Sequence, residues 1–269
     1  MYAVQLRLPR QLAVEMVARL FYLPGRWRRL EIGLNWFVKL IGGARGDQRQ
    51  PEPPPPTDAK YTLEKSIRSH LAPVLRAEGF VGSGRTFRRI GEHLIQVVQV
   101  QGSQWGGQFA VNLGIQPTCI QSDLSTPADF RKIAPETCEF RRRLSTDGAD
   151  QWWSHVGTPE SMDAAVAEAT EVYLAVGRPA FAAMSDAKSP IWTLTPKEFA
   201  GRAPNLLGFE SLGFMSTEVR MARALALMRQ AAGNRQDAVG FAQHALDQIG
   251  DGPGGAGLRQ ELRAIVQGD

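Results

Sequence analysis

HLIQVVQVQGSQWGGQFAVNLGIQ, residues 93–116, decides the fold of this chain. In its second half Phe109, Val111, Leu113 and Ile115 alternate with Ala110, Asn112, Gly114 and Gln116. That period of two is the mark of a strand buried on one face. The first half, rich in β-branched residues, reaches the second through GSQWGG. Such a connection closes an antiparallel hairpin, whereas parallel neighbours need a crossover of about a dozen residues or more.

Working outward, RTFRRI (85–90) precedes the hairpin across a turn at Gly91-Glu92, and CEFRRRLS (138–145) reads as a further strand. Upstream, Leu63, Ile67, Leu71, Val74 and Leu75 recur at helical spacing between a Thr62 N-cap and a Gly79 C-cap. Downstream, Thr158-Pro159-Glu160 opens a second helix, to about residue 176, with proline at the first helical position. After a Pro-rich passage to 204, helices are expected over 216–232 and 236–249 around Gly233-Asn234, and over 257–266. The fold class is therefore α+β: an antiparallel β-sheet meander of four or more strands with packed helices and a helical C-terminal extension. Residues 59–200 form the α+β domain and 201–269 the extension.

Composition bounds the partners. The chain carries 31 Lys and Arg against 27 Asp and Glu. Residues 1–50 hold nine of the bases and three of the acids, leaving 22 against 24 for residues 51–269. A nucleic-acid reader concentrates base on its folded domain, so no nucleic-acid partner is expected. Residues 1–43 form a basic amphipathic leader, split by Pro24-Gly25, that reads as a disordered extension or one translated from a start site placed too far upstream, as a packed helix, or as a helix suited to a membrane surface. Residues 44–58 are a Pro-rich linker. No apolar run reaches the ~20 residues of a spanning helix. Two cysteines, Cys119 and Cys138, are too few for a disulfide framework or a four-ligand zinc site, which points to a reducing cytoplasm.

No catalytic machinery stands out. The glycines of GFVGSGR (79–85) follow a helix and lead into a strand, the reverse of a phosphate loop, and His70, His93, His155 and His244 lack ligand spacing. No cofactor and no metal is expected. What remains is a polar band. If Val98 and Val100 face the core with Phe109–Ile115, then Gln99, Gln101, Asn112, Arg141 and Arg143 share the opposite face, and Trp105 sits in the turn beside them. Amides, arginines and a tryptophan suit a carboxylate, a peptide backbone or an acidic partner; the same residues also suit an internal hydrogen-bond network. The first reading is thus a non-enzymatic interaction protein with a protein or peptide partner. The second is an enzyme assembled from distant residues near Cys138 and His155, and the third is peripheral membrane attachment through the leader.

Gly79-Phe80 after an amphipathic helix, Phe87, Gln101-x-Ser103-x-Trp105, Asn112-Leu113-Gly114, Cys138-x-x-Arg141-x-Arg143-Leu144 and Trp152-Trp153 also occur in an order that resembles the bacterial domain of unknown function 4304 family, over residues about 60–175. The resemblance implies an α+β domain with an antiparallel sheet and brings no catalytic residue with it.

Overall fold

The strand patterns on either side of residues 93–116 extend one sheet in both directions. A computed structural model of the chain describes residues 62–120, 129–203, 206, 210–214, 216–250 and 255–268. The leader and the linker lie outside the described residues, and all of the described ones belong to a single unit, Pro54–Asp269. Strands β1 (Val81–Ser83), β2 (Thr86–Ile90), β3 (Leu94–Gly102), β4 (Gln108–Pro117) and β5 (Phe140–Arg143) follow one another across the sheet in chain order, each antiparallel to the last. β6 (Trp153–Ser154) also pairs with β4, through Phe109↔Trp153. β5 and β6 therefore lie end to end along one side of β4, and the chain between them leaves the ladder and returns. Two of these strands, β1 and β6, are too short for the pattern of alternation to reveal them in the sequence.

Register fixes which side chains share a face. Phe87↔Val98 and Val98↔Leu113 place three apolar residues in a row across three strands. With Val100, Phe109, Val111, Ile115, Phe140 and Leu144, all buried, they make the main core face. Two long helices cover it. The first, α1, is built from Leu63–Ser66, a π turn over Ile67–Leu71, and Ala72–Ala77. The second, α2, joins Pro159–Val172 through a π turn, Tyr173–Gly177, to Arg178–Ser185. Each wide turn comes just before a proline, Pro73 and Pro179, which has no N–H to donate and crowds the carbonyl four residues back. A π turn opens the helix where that bond is missing. Thr158 caps α2 as its sequence predicts, its hydroxyl accepting from Ser161 N; Thr62 holds the N-cap position of α1 without a side-chain cap bond. Gly177 presses onto the sheet so closely that a Cβ there would lie 2.8 Å from Tyr173 and 3.4 Å from Leu113.

The C-terminal helices are α3 (Pro190–Thr193), α4 (Pro196–Ala200), α5 (Glu218–Ala231), α6 (Arg235–Ile249) and α7 (Ala256–Gln267). Their apolar faces continue the sheet's core without a break, to Leu262 and Ile265 of α7. Arg229, almost fully buried, donates to the carbonyls of Ile191 (3.1 Å) and Leu194 (2.9 Å), so helix-end acceptors take the place of a counter-ion. Glu139, 5% exposed, stands between Arg223 (2.9 Å) and Arg220 (3.3 Å), and Arg223 also meets Glu261. This chain of charges ties the start of β5 to α5 and α7.

Candidate functional site

The second face of the sheet holds the polar band. Gln99↔Asn112 and Asn112↔Arg143 are cross-strand partners, as are Gln101↔Ala110 and Gly114↔Arg141, so Gln99, Gln101, Asn112, Arg141 and Arg143 all lie on the face away from α1 and α2. The alternation read from the sequence predicts this arrangement.

This face is not polar throughout. At one end Ile95 and Val97 are buried against Ile133 and Cys138, with Phe130 packed alongside, a second small core roofed by the loop that leads into β5. The run Leu94, Ile95, Val97, Val98 is the signal for it: apolar residues on both parities mean burial on both faces. Gly114 admits the roof, because a Cβ there would stand 2.7 Å from Cys138 Sγ and 2.9 Å from Pro135 Cα.

Cys138 opens the stretch 138–145 that reads as one strand in the sequence, but the strand itself begins at Phe140. Cys138 packs on the opposite face from Phe140 and Leu144. Burial, helped by Glu136 and Glu139, pushes its thiol up to about 12, and Sγ donates to Ala134 O (3.4 Å). A thiol held protonated at neutral pH is a poor nucleophile. His155, its ring lowered in pKa by burial, lies beside Phe109 (6.5 Å) and its backbone N–H bonds Gly107 O. Cys138 abuts Gly114, so roughly 16 Å of strand and the sheet itself separate the two side chains. The structure does not bring Cys138 and His155 together. Among the described residues no three His, Cys, Asp or Glu side chains are grouped as a metal ion would require.

Beyond the roof the face opens into a cleft of about 1090 Å³, bordered by Gln99, Gln101, Asn112, Arg141 and Arg143 together with Arg85, Glu136, Arg142 and Asp147. Part of the polar band is an internal network. Asn112 Nδ2 donates to Gln101 Oε1 (2.9 Å), and Arg143 reaches the same oxygen (3.4 Å). Arg143 is also paired with Asp150 (2.9 Å), and its guanidinium lies 5.0 Å above Trp152. Arg85 is paired with Glu64 at 2.7 Å. Arg141 differs: it is exposed, its side-chain bond goes to a backbone carbonyl, Glu136 O (3.1 Å), and no carboxylate of the described residues lies within ion-pair distance. Gln99 has no side-chain hydrogen bond among the described residues. Trp105, 86% exposed, sits at the tip of the β3–β4 turn, beside the cleft rather than in its wall.

Four cleft residues escaped the sequence reading. Arg85 and Asp147 lie in turns, and Glu136 in a 3-10 turn, where no periodicity assigns a face. Arg142 belongs to the core face by register, and only its long stem brings the guanidinium out to Leu212 O (2.6 Å). A second cleft, about 690 Å³, lies where the β2–β3 turn meets α5, lined by His93, Cys119, Trp192 and Met228. Its Arg89 and Gln96 already satisfy each other, Glu78 O and Phe181 O, which leaves little there to orient a ligand.

Residues 71–182 match the family model described as Domain of unknown function (DUF4304). The resemblance drawn from the sequence holds over that span, which contains the six strands described, all but the last residues of α2 and the second half of α1. The open cleft is bordered almost wholly by the matched segment, but the arginines that clamp Glu139 come from α5, outside the match. No curated protein and no solved structure matches the chain.

Proposed function

We propose that the DUF4304 segment is a binding module rather than an enzyme, and that its open sheet face receives a carboxylate carried by a protein or peptide partner. One observation carries this reading: Arg141 projects into the cleft with no carboxylate of the described residues within ion-pair distance, in a wall where four arginines face two acids. The planar guanidinium fork is matched to a carboxylate, and Gln99 adds an amide with no side-chain hydrogen bond among the described residues. Exposed Trp105, at the rim, is the kind of side chain that anchors an interface. A bacterial, cytoplasmic setting goes with this proposal, the first from the family resemblance and the second because Cys119 is an exposed free thiol, of a kind rare outside reducing compartments.

Affinity measurement tests the reading. A partner recovered with the full-length protein is titrated against wild type and against Arg141→Ala. Loss of a charge-assisted hydrogen bond is expected to weaken binding about tenfold or more. Unchanged affinity rejects the cleft as the binding surface.

A further inference from the structure

The outer edge of β5 extends the binding reading, on which this inference rests. Leu144 N donates to Val111 O, and Arg142 and Phe140 stand opposite Leu113 and Ile115. Alternation along an antiparallel ladder then turns the main-chain groups of Arg142 towards β4 and those of Arg141 and Arg143 away from it. No strand among the described residues lies beyond β5. Among the described residues no hydrogen bond reaches either outward amide. The opposite edge offers less. Val81 and Ser83 of β1 face β2, leaving outward only Gly82, in a conformation (φ +150°) that other residues rarely adopt.

The geometry points to strand addition at β5 by an extended acidic peptide of the pattern Glu-X-Glu, the two carboxylates standing opposite Arg141 and Arg143. Partners across an antiparallel ladder share a face, so both carboxylates enter the cleft, while X falls opposite Arg142, whose guanidinium is already on Leu212 O. Opposite charges directly across strands stabilise pairing and like charges oppose it. A second copy of this chain on the same edge would set arginine against arginine. The pairing is short, because β5 has four residues and is bounded by the 3-10 turn before it and the excursion to β6 after it. Main-chain bonds supply the affinity in such additions, and the alternate side chains supply the choice of sequence.

The test uses the full-length protein and the synthetic peptide Thr-Val-Glu-Val-Glu-Val-Thr, read by amide hydrogen exchange and by titration. Exchange at the Arg141 and Arg143 amides is expected to slow about tenfold or more near saturation, while Arg142, already bonded to β4, changes little. N-methylation of the two Glu nitrogens should weaken binding about tenfold, whereas N-methylation of the central Val, whose N–H points away, should not. Replacement of both Glu by Lys should abolish binding. Equal effects of the two methylations, unchanged Arg141 and Arg143 amides, equal binding of the Lys peptide, or no binding at all would each overturn strand addition. If strand addition fails in this way while Arg141→Ala still weakens the peptide, the cleft reading survives; if Arg141→Ala changes nothing, that reading falls too. Protection of the same amides by self-association without peptide would make the occupant a second copy and reject the acidic segment.

Discussion

The two faces of this sheet are made by alternate residues of the same strands, yet they are built for different ends. Phe87, Val98, Leu113 and Phe109 lie on one side under two helices, while Gln99, Asn112, Arg141 and Arg143 lie on the other, half roofed and half open. The first face gains its free energy from area removed from water and from dense packing, where each missing atom is felt. The open part of the second gains little that way. Its side chains bond to one another in part and to solvent for the rest. The difference teaches where stability and recognition separate in this molecule, and it can be broken by substitutions chosen from each side.

The largest effect is expected at Phe109. Its ring is wholly buried, stacked on Trp153 with centroids 5.8 Å apart, at the join between β4 and β6. Phe109→Ala should destabilise the fold by about 3–5 kcal/mol in a denaturant titration. A loss below about 1 kcal/mol would mean that the helix-covered face is not the chief source of stability.

The contrast was legible in the sequence to an uneven degree, for physical reasons. Strict alternation from Phe109 to Gln116 assigns each side chain of β4 to a face, because a half-buried strand must alternate. The Thr158-Pro159 start of α2 was equally clear, since a cap and a first-turn proline act within a few residues. The roof over Ile95 and Val97 was not read, although the run of apolar residues announces it, because the loop that supplies Ile133 and Cys138 has no period of its own. Nor was the Glu139 network, whose partners Arg220, Arg223 and Glu261 come from 81 to about 120 positions further along the chain. Pairings over such separations are made by the fold and leave no local pattern. The site itself was legible as a set of residues sharing a face, but which of them remain unpartnered was decided by Asp150 and Trp152, loop residues that clamp Arg143 and leave Arg141 open.

A second effect sharpens the comparison within the polar face. Gly114→Ala places a methyl against Cys138 Sγ and Pro135 Cα at less than 3 Å, with backbone on one side unable to yield cheaply. A loss of about 1–3 kcal/mol is expected, by the same denaturation measurement, with the sheet retained in circular dichroism. A neutral result would show the roof to be loose, and the second face to be open along its whole length.

A third, smaller effect depends on pH. The Cys138 thiol is raised from 9.0 to about 12, chiefly by burial, so it stays protonated in the folded chain while the unfolded chain releases its proton. A group raised on folding contributes stability that is complete below its unfolded pKa and is lost as pH climbs towards the folded one. The loss should therefore set in near pH 9 and approach about 1.4 kcal/mol per pH unit for this single proton. Tyr173, raised by burial and by its bond to Glu78, adds a loss of the same sign at higher pH. Cys138→Ala should flatten the slope between pH 9 and 10, with Cys119 and Tyr173, both raised by burial, left to account for what remains. In the native protein a thiol reagent should modify Cys119, which is exposed, well before Cys138.

The smallest effect on stability is expected at the residue that matters most to the proposed function. Arg141 is exposed, and its side chain holds one backbone carbonyl, Glu136 O. Exposed positions without special contacts change stability within about 0.5 kcal/mol when substituted. Arg141→Ala should therefore leave the denaturation curve where it was while weakening an acidic partner about tenfold. The two measurements must diverge. If Arg141→Ala costs as much stability as Gly114→Ala, the arginine is a structural brace for the loop carrying Glu136, and its place in an open cleft has a structural rather than a recognitive cause. If it costs neither stability nor binding, the two faces differ in solvation alone, and recognition has to be sought at the Trp105 rim, where a side chain 86% exposed is of the kind that anchors an interface.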